Sequence, residues 1–296
     1  MAERSVLVDW LVALPVRAAF HAFGWLPPAT ASALGGALAR RVGPWLGISE
    51  VARRNLARAM PELDAAARER VVVAMWDNLG RVTAEYPHLA GLDIYAPDSP
   101  VQVVGIERID ALREDGIGAI CVGAHYGNWE IQALAAGQRG LPLTLVYRAA
   151  NNPHVEAVLQ HARSRAKGAG EHVPKGARAA RALLAALGRQ AHLAMLVDQK
   201  MNDGIAAPFF GRQAMTASAP AELALRFRLP VVPAFVERLG GFRFRLTVEP
   251  PLPLPASGDR AADVLALMTA INARVEHWVR ARPDHWFWLH RRWPDS

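Results

Sequence analysis

The chain has 296 residues, of which 52% are hydrophobic. This composition fits a globular enzyme with a large core and argues against a protein with several membrane spans. The formal net charge of +7 favours an anionic partner, either nucleic acid or an acidic membrane surface. Because the sequence has no zinc-finger spacing, RNA-binding sheet signature or dense basic arm, nucleic acid is the weaker choice. The single cysteine, Cys121, excludes an internal disulfide framework and fits a reducing compartment.

The first apolar segment, VLVDWLVALPVRAAFHAFGWL, has neither a signal-peptide cleavage site nor the uninterrupted apolar length of a good transmembrane helix. Its polar residues Asp9, Arg17 and His21 fall on one side of a helix whose other side is apolar. We expect this helix to lie on a membrane interface or dip into it, with Trp10 and Trp25 as anchors. An ordinary helix that packs in the core remains the alternative.

Residues 1–90 have helical periodicity throughout, whereas apolar runs alternate with helical segments from residue 100 onwards. The apolar runs predict strands at VQVVG, IGAICVGA, LPLTLVYR, HLAMLVD, PVVPAFVER and FRFRLTVEP. Helices are expected over 106–114, from 128, from 153, and over 176–188, 218–228 and 259–280, with a long loop after HLAMLVD. Continuously apolar strands imply a sheet covered on both faces. The sequence therefore predicts an α/β fold with a mixed, largely parallel central sheet flanked by helices. We expect one domain over 1–296, with 1–90 a helical, membrane-associating region and 100–296 the α/β core.

Polar clusters follow three of the predicted strands, where the sites of such sheets collect. They are His125 to Glu130, Arg148 to Asn152 and Asp198 to Lys200.

The first cluster, GAHYGNWE, predicts a base with an orienting acid. If His125 ends the strand, Gly127 makes the turn and Asn128 caps the next helix, then Glu130 lies in that helix's first turn. Its carboxylate can then reach the imidazole, fix the tautomer and leave the other ring nitrogen free to take a proton. No serine stands in a G-x-S-x-G setting, so the base would act directly on a hydroxyl of the substrate. The sequence HYGNWE does not match H-E-x-x-H, so we expect no metal.

The other two clusters add polar groups to the same end of the sheet. Asn152 and Pro153 are explained as the cap and first residue of a helix, whereas Arg148 is free to hold a phosphate or an oxyanion. Asp198 and Gln199 have two open roles, since they can hydrogen bond a sugar or brace the histidine.

The six residues HYGNWE resemble the H-x-x-x-x-D/E motif of the glycerolipid and lysophospholipid acyltransferase superfamily. More narrowly, the chain is similar to the late acyltransferases of bacterial lipid A biosynthesis, the lauroyl and myristoyl transferases. The similarity extends over nearly the whole chain, through RRNLARAMPEL, NLGRVTAEYPHL, GAHYGNWE, YRAANNP, LVDQ, APFFGRQAMTASAP and PDHWFWLHRRWP.

The resemblance implies transfer of a fatty acyl group from an acyl carrier protein thioester to a hydroxyl of a phosphorylated glycolipid, the lipid A precursor. His125 would be the general base and Glu130 its partner, while Arg148, Asn151, Asp198 and Gln199 would line the substrate mouth. Acyl coenzyme A is the other candidate donor, and a thioester donor requires no cofactor. The implied location is the cytoplasmic face of the inner membrane, as a peripheral or singly anchored protein.

Three other functions are compatible with the sequence. The chain could acylate a phosphatidylinositol mannoside or a glycerolipid, although the ending HWFWLHRRW favours lipid A. It could be a membrane-surface adaptor without catalysis, or a metal hydrolase. An acyl groove or lid is expected in the Lys200 to Ser218 segment, where Phe209 and Phe210 could equally be core residues.

Overall fold

A computed structural model describes residues 6–147, 149–174, 183, 185–189 and 191–294. The N-terminal region is helical as predicted, with α1 (Val6–Gly24), α2 (Pro28–Val42), α3 (Ser49–Ala59) and α4 (Ala65–Glu85). Short 3₁₀ turns follow α2 and α4, at Gly43–Trp45 and Tyr86–Gly91. Helices α2 and α4 touch backbone to backbone, because a Cβ at Gly35 would lie 2.5 Å from the carbonyl oxygen of Gly80.

The strands and helices of the core alternate along the chain. The strands are β1 (Val101–Val104), β2 (Ile120–Gly123), β3 (Leu143–Tyr147), β4 (Glu171–Pro174), β5 (His192–Leu196), β6 (Lys200–Phe209), β7 (Arg212–Thr216), β8 (Val231–Gly240) and β9 (Arg243–Val248). The helices are α5 (Ile106–Glu114), α6 (Glu130–Gln138), α7 (Pro153–Arg165), α8 (Ala219–Phe227) and α9 (Arg260–Ala281). The predicted helix over 176–188 lies mostly outside the described residues.

Seven strands form the central sheet, in the order β1-β9-β8-β2-β5-β3-β4. All neighbours are parallel except β8 and β9, which form an antiparallel hairpin. The predicted α/β fold with a mixed, largely parallel sheet is therefore confirmed. Because β2, β5 and β3 are adjacent, the three polar clusters predicted from the sequence follow neighbouring strand ends.

Two apolar clusters cover the two faces of the sheet. Successive side chains of β2 point to opposite faces and therefore belong to different clusters. Ile120 and Val122 belong to the cluster formed with α3, α8, α9 and the C-terminal tryptophans. Cys121 packs against the other cluster, formed with α5 and α6.

The segment after β5 differs from the predicted long loop. Strands β6 and β7 pair as an antiparallel hairpin with an irregular register between Lys200 and Ile205. Phe209 and Phe210 are buried in the core, where the ring of Phe209 stacks on Trp293, so they do not form an acyl groove.

The N-terminal helices carry most of the exposed apolar side chains. Of the 19 large hydrophobic side chains that are exposed among the described residues, 13 lie between Val8 and Ile48. We call this set the N-terminal apolar surface: Val8, Trp10, Leu11, Val12, Leu14, Val16, Trp25, Leu34, Leu38, Val42, Trp45, Leu46 and Ile48. Across the described ranges, no helix has both the length and the apolarity required to cross a bilayer.

Candidate active site

The loop after β2 makes a tight turn that depends on Gly127. This glycine has φ of +58°, and a Cβ at this position would lie 1.8 Å from the carbonyl oxygen of Val236. Glycine is therefore required both for the backbone conformation and for the close approach to β8. The predicted turn at Gly127 is confirmed, and Glu130 stands at the start of α6. His125 precedes Gly127 by two residues but does not end the strand as predicted, because β2 ends at Gly123.

Asn128 does not cap the helix, contrary to the prediction. Helix α6 begins at Glu130, so Trp129 occupies the N-cap position. Asn128 instead donates a hydrogen bond of 2.8 Å to the buried carboxylate of Glu85, which also forms an ion pair of 2.6 Å with Arg238. This buried network fastens the loop to α4 and β8.

The C-terminal segment lies along the other side of the same loop. The amide of Gly127 donates to the carbonyl of His285 at 2.9 Å, and the amide of Phe287 donates to the carbonyl of His125 at 3.0 Å. Asn55, from the RRNLARAM stretch of α3, donates to the carbonyls of Trp288 and His290. The first and last parts of the chain thus both support the histidine loop.

Asp198 is the hydrogen-bond partner of the His125 imidazole. Nδ1 of His125 lies 2.9 Å from Oδ1 of Asp198, while Oδ2 accepts from the His125 backbone amide at 3.0 Å and from Nε1 of Trp286 at 2.8 Å. The contact follows from the sheet, because β2 and β5 are paired and each residue follows its strand by two positions. Of the two roles left open for Asp198, the structure supports bracing of the histidine.

This arrangement engages Nδ1 of His125 and leaves Nε2 as the ring nitrogen that faces away from Asp198. Burial alone would raise the pKa of Asp198, but the electrostatic attraction of His125, together with the hydrogen bonds from His125 and Trp286, outweighs it and lowers the pKa to about 2. An ionised carboxylate accepts only, so it holds the proton on Nδ1 and leaves the lone pair on Nε2. Nε2 lies 3.5 Å from the side-chain nitrogen of Gln199.

The predicted contact between Glu130 and the imidazole is replaced by an ion pair. Glu130 accepts from both Nη2 and Nε of Arg163, at 2.7 and 3.0 Å, and from the hydroxyl of Tyr86 at 2.5 Å. Burial alone would raise the pKa of Glu130, but the bonds from Arg163 and Tyr86 outweigh it and hold the pKa below its usual value. The physical reason is that α6 directs Glu130 towards the cation on α7. Trp129 lies between Glu130 and the histidine: its indole nitrogen donates to Glu130 at 3.0 Å, and its ring lies 5.2 Å from the imidazole.

His125 opens onto a cavity of about 580 Å³. The cavity runs between one face of the sheet and helices α5 and α6. We call the part lined by His125, Asn151, Gln199 and Phe287 its mouth, because Asn151 is exposed and the other three are half-buried. Away from the mouth the wall is mainly apolar and includes Ile109, Leu112, Leu141, Leu143, Ala133, Ala136, Val232, Leu246 and Val248. Such a shape fits a long apolar ligand with a polar end at the histidine.

The predicted substrate residues have different positions. Asn151 and Gln199 border the cavity, and Arg148 lies outside the described residues. Asp198 lies beneath the histidine and is 3% exposed, so it is not at the mouth. The sequence analysis gave no role to Arg163, Tyr86 or Trp286, because each reaches the site from a distant segment. Tyr86 and Trp286 lie in the similar stretches NLGRVTAEYPHL and PDHWFWLHRRWP, whereas Arg163 lies in none of them.

A family profile and several curated relatives are similar to this chain. The profile of the family described as bacterial lipid A biosynthesis acyltransferase matches residues 2–295. A lipid A biosynthesis palmitoleoyltransferase of Escherichia coli is 25% identical over 267 residues, which cover 87% of this chain and 81% of the relative. A phosphatidylinositol mannoside acyltransferase of Mycobacterium tuberculosis is 25% identical, covering 86% and 78% of the two chains. A lipid A biosynthesis lauroyltransferase of Escherichia coli is 26% identical, covering 82% and 78%.

The profile match extends over the N-terminal helices, the histidine loop and the C-terminal segment alike. With these parts arranged around a histidine and an apolar cavity, the chain is an acyltransferase and belongs to the bacterial lipid A biosynthesis acyltransferase family.

Proposed function

We propose that this protein transfers a fatty acyl group from an acyl carrier protein thioester to a hydroxyl of a lipid A precursor, with His125 as general base. The observation that carries the proposal is that Nε2 of His125, with Nδ1 held by Asp198, opens onto the apolar cavity. The cavity would hold the acyl chain, so that the thioester carbonyl comes to the mouth beside the imidazole.

The chemistry requires one base that later acts as an acid. Nε2 takes the proton of the acceptor hydroxyl as its oxygen attacks the thioester carbonyl. The tetrahedral intermediate then expels the thiolate, which takes the proton back from the imidazolium, and the products are an ester and the free carrier thiol. The carboxylate of Asp198 stabilises the imidazolium between these two steps.

The residues around the mouth have supporting roles in this proposal. Gln199 and Asn151 would contact the acceptor, and Arg148, as predicted, would contact its phosphate. Glu130 keeps a place in the catalytic site through Arg163 and Trp129, since both of these residues line the same cavity.

The proposed partners are acidic and therefore fit the positive net charge of the chain. The net charge of +7 suits an acidic carrier protein and an anionic, phosphorylated lipid. Exposed Arg17 and Arg41 flank the N-terminal apolar surface. We place the protein on the cytoplasmic face of the inner membrane, with residues 1–90 as the membrane-associating region and 100–296 as the catalytic core of one domain.

Helix α1 would bring the bilayer close to the cavity mouth. Asn152, in the loop after β3, donates a hydrogen bond of 2.7 Å to the backbone carbonyl of Asp9 on α1. The adjacent residue Asn151 borders the mouth, so a lipid acceptor could enter from the membrane beside α1.

The test is acyl transfer to a tetra-acylated lipid A precursor from a panel of acyl carrier protein and acyl coenzyme A thioesters. We expect transfer by the wild type, and a loss on the order of 10²-fold or more in turnover for His125→Ala with lipid binding retained. Equal turnover by the two proteins would remove His125 as the base. Transfer only to phosphatidylinositol mannosides or glycerolipids would replace the acceptor, and membrane binding without any transfer would overturn the proposal.

A further inference from the structure

One side-chain amide in the cavity wall, that of Gln132, differs from its polar neighbours in its hydrogen bonding. Gln132 lies on α6 and lines the cavity, and its Nε2 is buried without a hydrogen-bond partner among the described residues. Two other polar groups of the wall are paired within the protein, since Glu130 binds Arg163 and the hydroxyl of Tyr147 donates to Glu156 at 2.9 Å. A buried amide without a partner is rare in folded proteins and unfavourable, so it points to a ligand that completes it.

The position of Gln132 fixes the part of a ligand that could reach it. The amide lies over Gly123, where a Cβ would approach Oε1 of Gln132 to 2.5 Å. Gly123 thus leaves room for the amide inside the cavity. Since Gly123 precedes His125 by two residues, their Cα atoms are at most about 7 Å apart. In the proposed binding mode, the amide lies beside the first carbons of an acyl chain whose carbonyl is at His125.

The hydrogen-bonding capacity of the Gln132 amide determines which substituent on an acyl chain it can bind. A carboxamide both donates and accepts, and so does an aliphatic hydroxyl, whereas an unsubstituted chain can do neither. We infer that the preferred donors are hydroxyacyl thioesters with the hydroxyl on one of the first carbons after the carbonyl, bound there by Gln132. This inference rests on the proposed function and names its donor class.

The experiment compares donors of equal length that differ only in the hydroxyl. Dodecanoyl, 2-hydroxydodecanoyl and 3-hydroxydodecanoyl thioesters of acyl carrier protein compete for transfer by wild type, Gln132→Met and Cys121→Ala. Methionine has nearly the size of glutamine but cannot pair with a hydroxyl. Cys121 is a cavity residue on the same face of β2, so its variant controls for a general change of the wall.

We expect the wild type to favour a hydroxylated donor by about tenfold or more in kcat/KM, because a site built for a hydroxyl rejects the analogue that lacks it. Gln132→Met should abolish this ratio, and Cys121→Ala should retain it. A wild type that uses dodecanoyl thioester equally well or better overturns the inference, whether or not the variant folds. An equal loss for all three donors in Gln132→Met also overturns it, since the amide would then bind the carbonyl that every donor shares.

Failure of the proposed function is distinguishable from failure of this inference. Transfer with no hydroxyl preference contradicts only the inference, whereas no transfer from any donor to any acceptor contradicts the proposed function. In the second case, the inference is tested by binding alone. The wild type is titrated with free dodecanoate and with 3-hydroxydodecanoate, and binding is measured by the fluorescence of Trp129, with Trp129→Phe as the control. Tighter binding of the hydroxy acid supports the inference, and equal binding overturns it.

Discussion

In the proposed mechanism, Asp198 determines which nitrogen of His125 is available as the base. In Asp198→Asn, the amide oxygen would have to accept from the His125 backbone amide and from Trp286, because both donate to Oδ2. The amide nitrogen would then face Nδ1 as a donor, so Nδ1 must be unprotonated and the proton moves to Nε2. We expect kcat to fall by about 10³- to 10⁴-fold with the fold retained, as measured by single-turnover acyl transfer and thermal unfolding.

The matching control is the double variant with His125→Ala. If Asp198 acts through the imidazole, adding Asp198→Asn to His125→Ala should have little further effect on turnover. Additive losses would show that Asp198 works independently of the histidine.

The ion pair of Glu130 and Arg163 supports a second residue-scale prediction. Their side chains are only 10% and 15% exposed, so Glu130→Gln leaves a buried guanidinium without its counterion, which costs about 3 kcal/mol of stability. We expect a lower unfolding temperature and a loss of turnover smaller than that of His125→Ala. The double variant Glu130→Gln with Arg163→Met should be more stable than Glu130→Gln alone. Unchanged turnover in Glu130→Gln would remove Glu130 from the catalytic site.

At this scale the sequence singled out the histidine at the centre of the candidate site but not the pairing of its neighbours. His125, Glu130 and Asp198 all stood out as polar residues at predicted strand ends. Their pairing depends on which strands are adjacent and on where α7 directs Arg163, and neither is encoded locally. The role of Asp198 could be reduced to two options, and only the β2 and β5 pairing decides between them.

Among the local elements, the turn at Gly127 is the most constrained part of the site. In Gly127→Ala, the left-handed φ and the contact with the Val236 carbonyl should together lower the free energy of unfolding by about 2 to 5 kcal/mol. The loop cannot keep its position, so His125 should be displaced and acyl transfer lost. Chemical denaturation and transfer assays measure both effects.

Gly116 provides a matched control for this turn. It has φ of +69°, and a Cβ there would meet nothing within 4 Å. Gly116→Ala should therefore show only the conformational penalty, about 1 to 2 kcal/mol, and keep its activity. Equal effects at the two positions would mean that the close approach at Gly127 is unimportant.

Most of the elements follow from periodicity, and the exceptions are informative; they include β4 (Glu171–Pro174), for which no apolar run predicted a strand. Helix α5 has the predicted bounds, because its apolar spacing and flanking glycines are local signals. The β6 and β7 hairpin was predicted as a loop, since its burial pattern is irregular and its first residues are exposed. Asn128 was predicted as a cap because its residue type favours caps, but the carboxylate of Glu85 competes for its side chain.

For the whole molecule, the arrangement of exposed apolar groups predicts an orientation on the membrane. The sequence indicated α1 as the interfacial segment, whereas the structure adds α2 and the turn at Trp45 to the same set. That extension depends on which face of α2 packs against α4, and a single sequence does not give this. The face opposite α4 presents Leu34, Leu38 and Val42 to the solvent.

Trp45 is 88% exposed and tests this orientation. Burying an indole in a bilayer interface contributes about 2 kcal/mol, and a glutamate in its place adds repulsion from anionic lipids. Trp45→Glu should therefore weaken binding to vesicles of phosphatidylethanolamine and phosphatidylglycerol by about tenfold or more. Leu265→Glu, at an exposed position of α9 outside the N-terminal apolar surface, is the control and should bind as the wild type does.

Because Trp45 is remote from His125 in the chain and does not line the cavity, transfer to detergent-dispersed acceptor should persist in Trp45→Glu while transfer to acceptor in vesicles falls. Equal vesicle binding by Trp45→Glu and the wild type would restrict the membrane contact to α1.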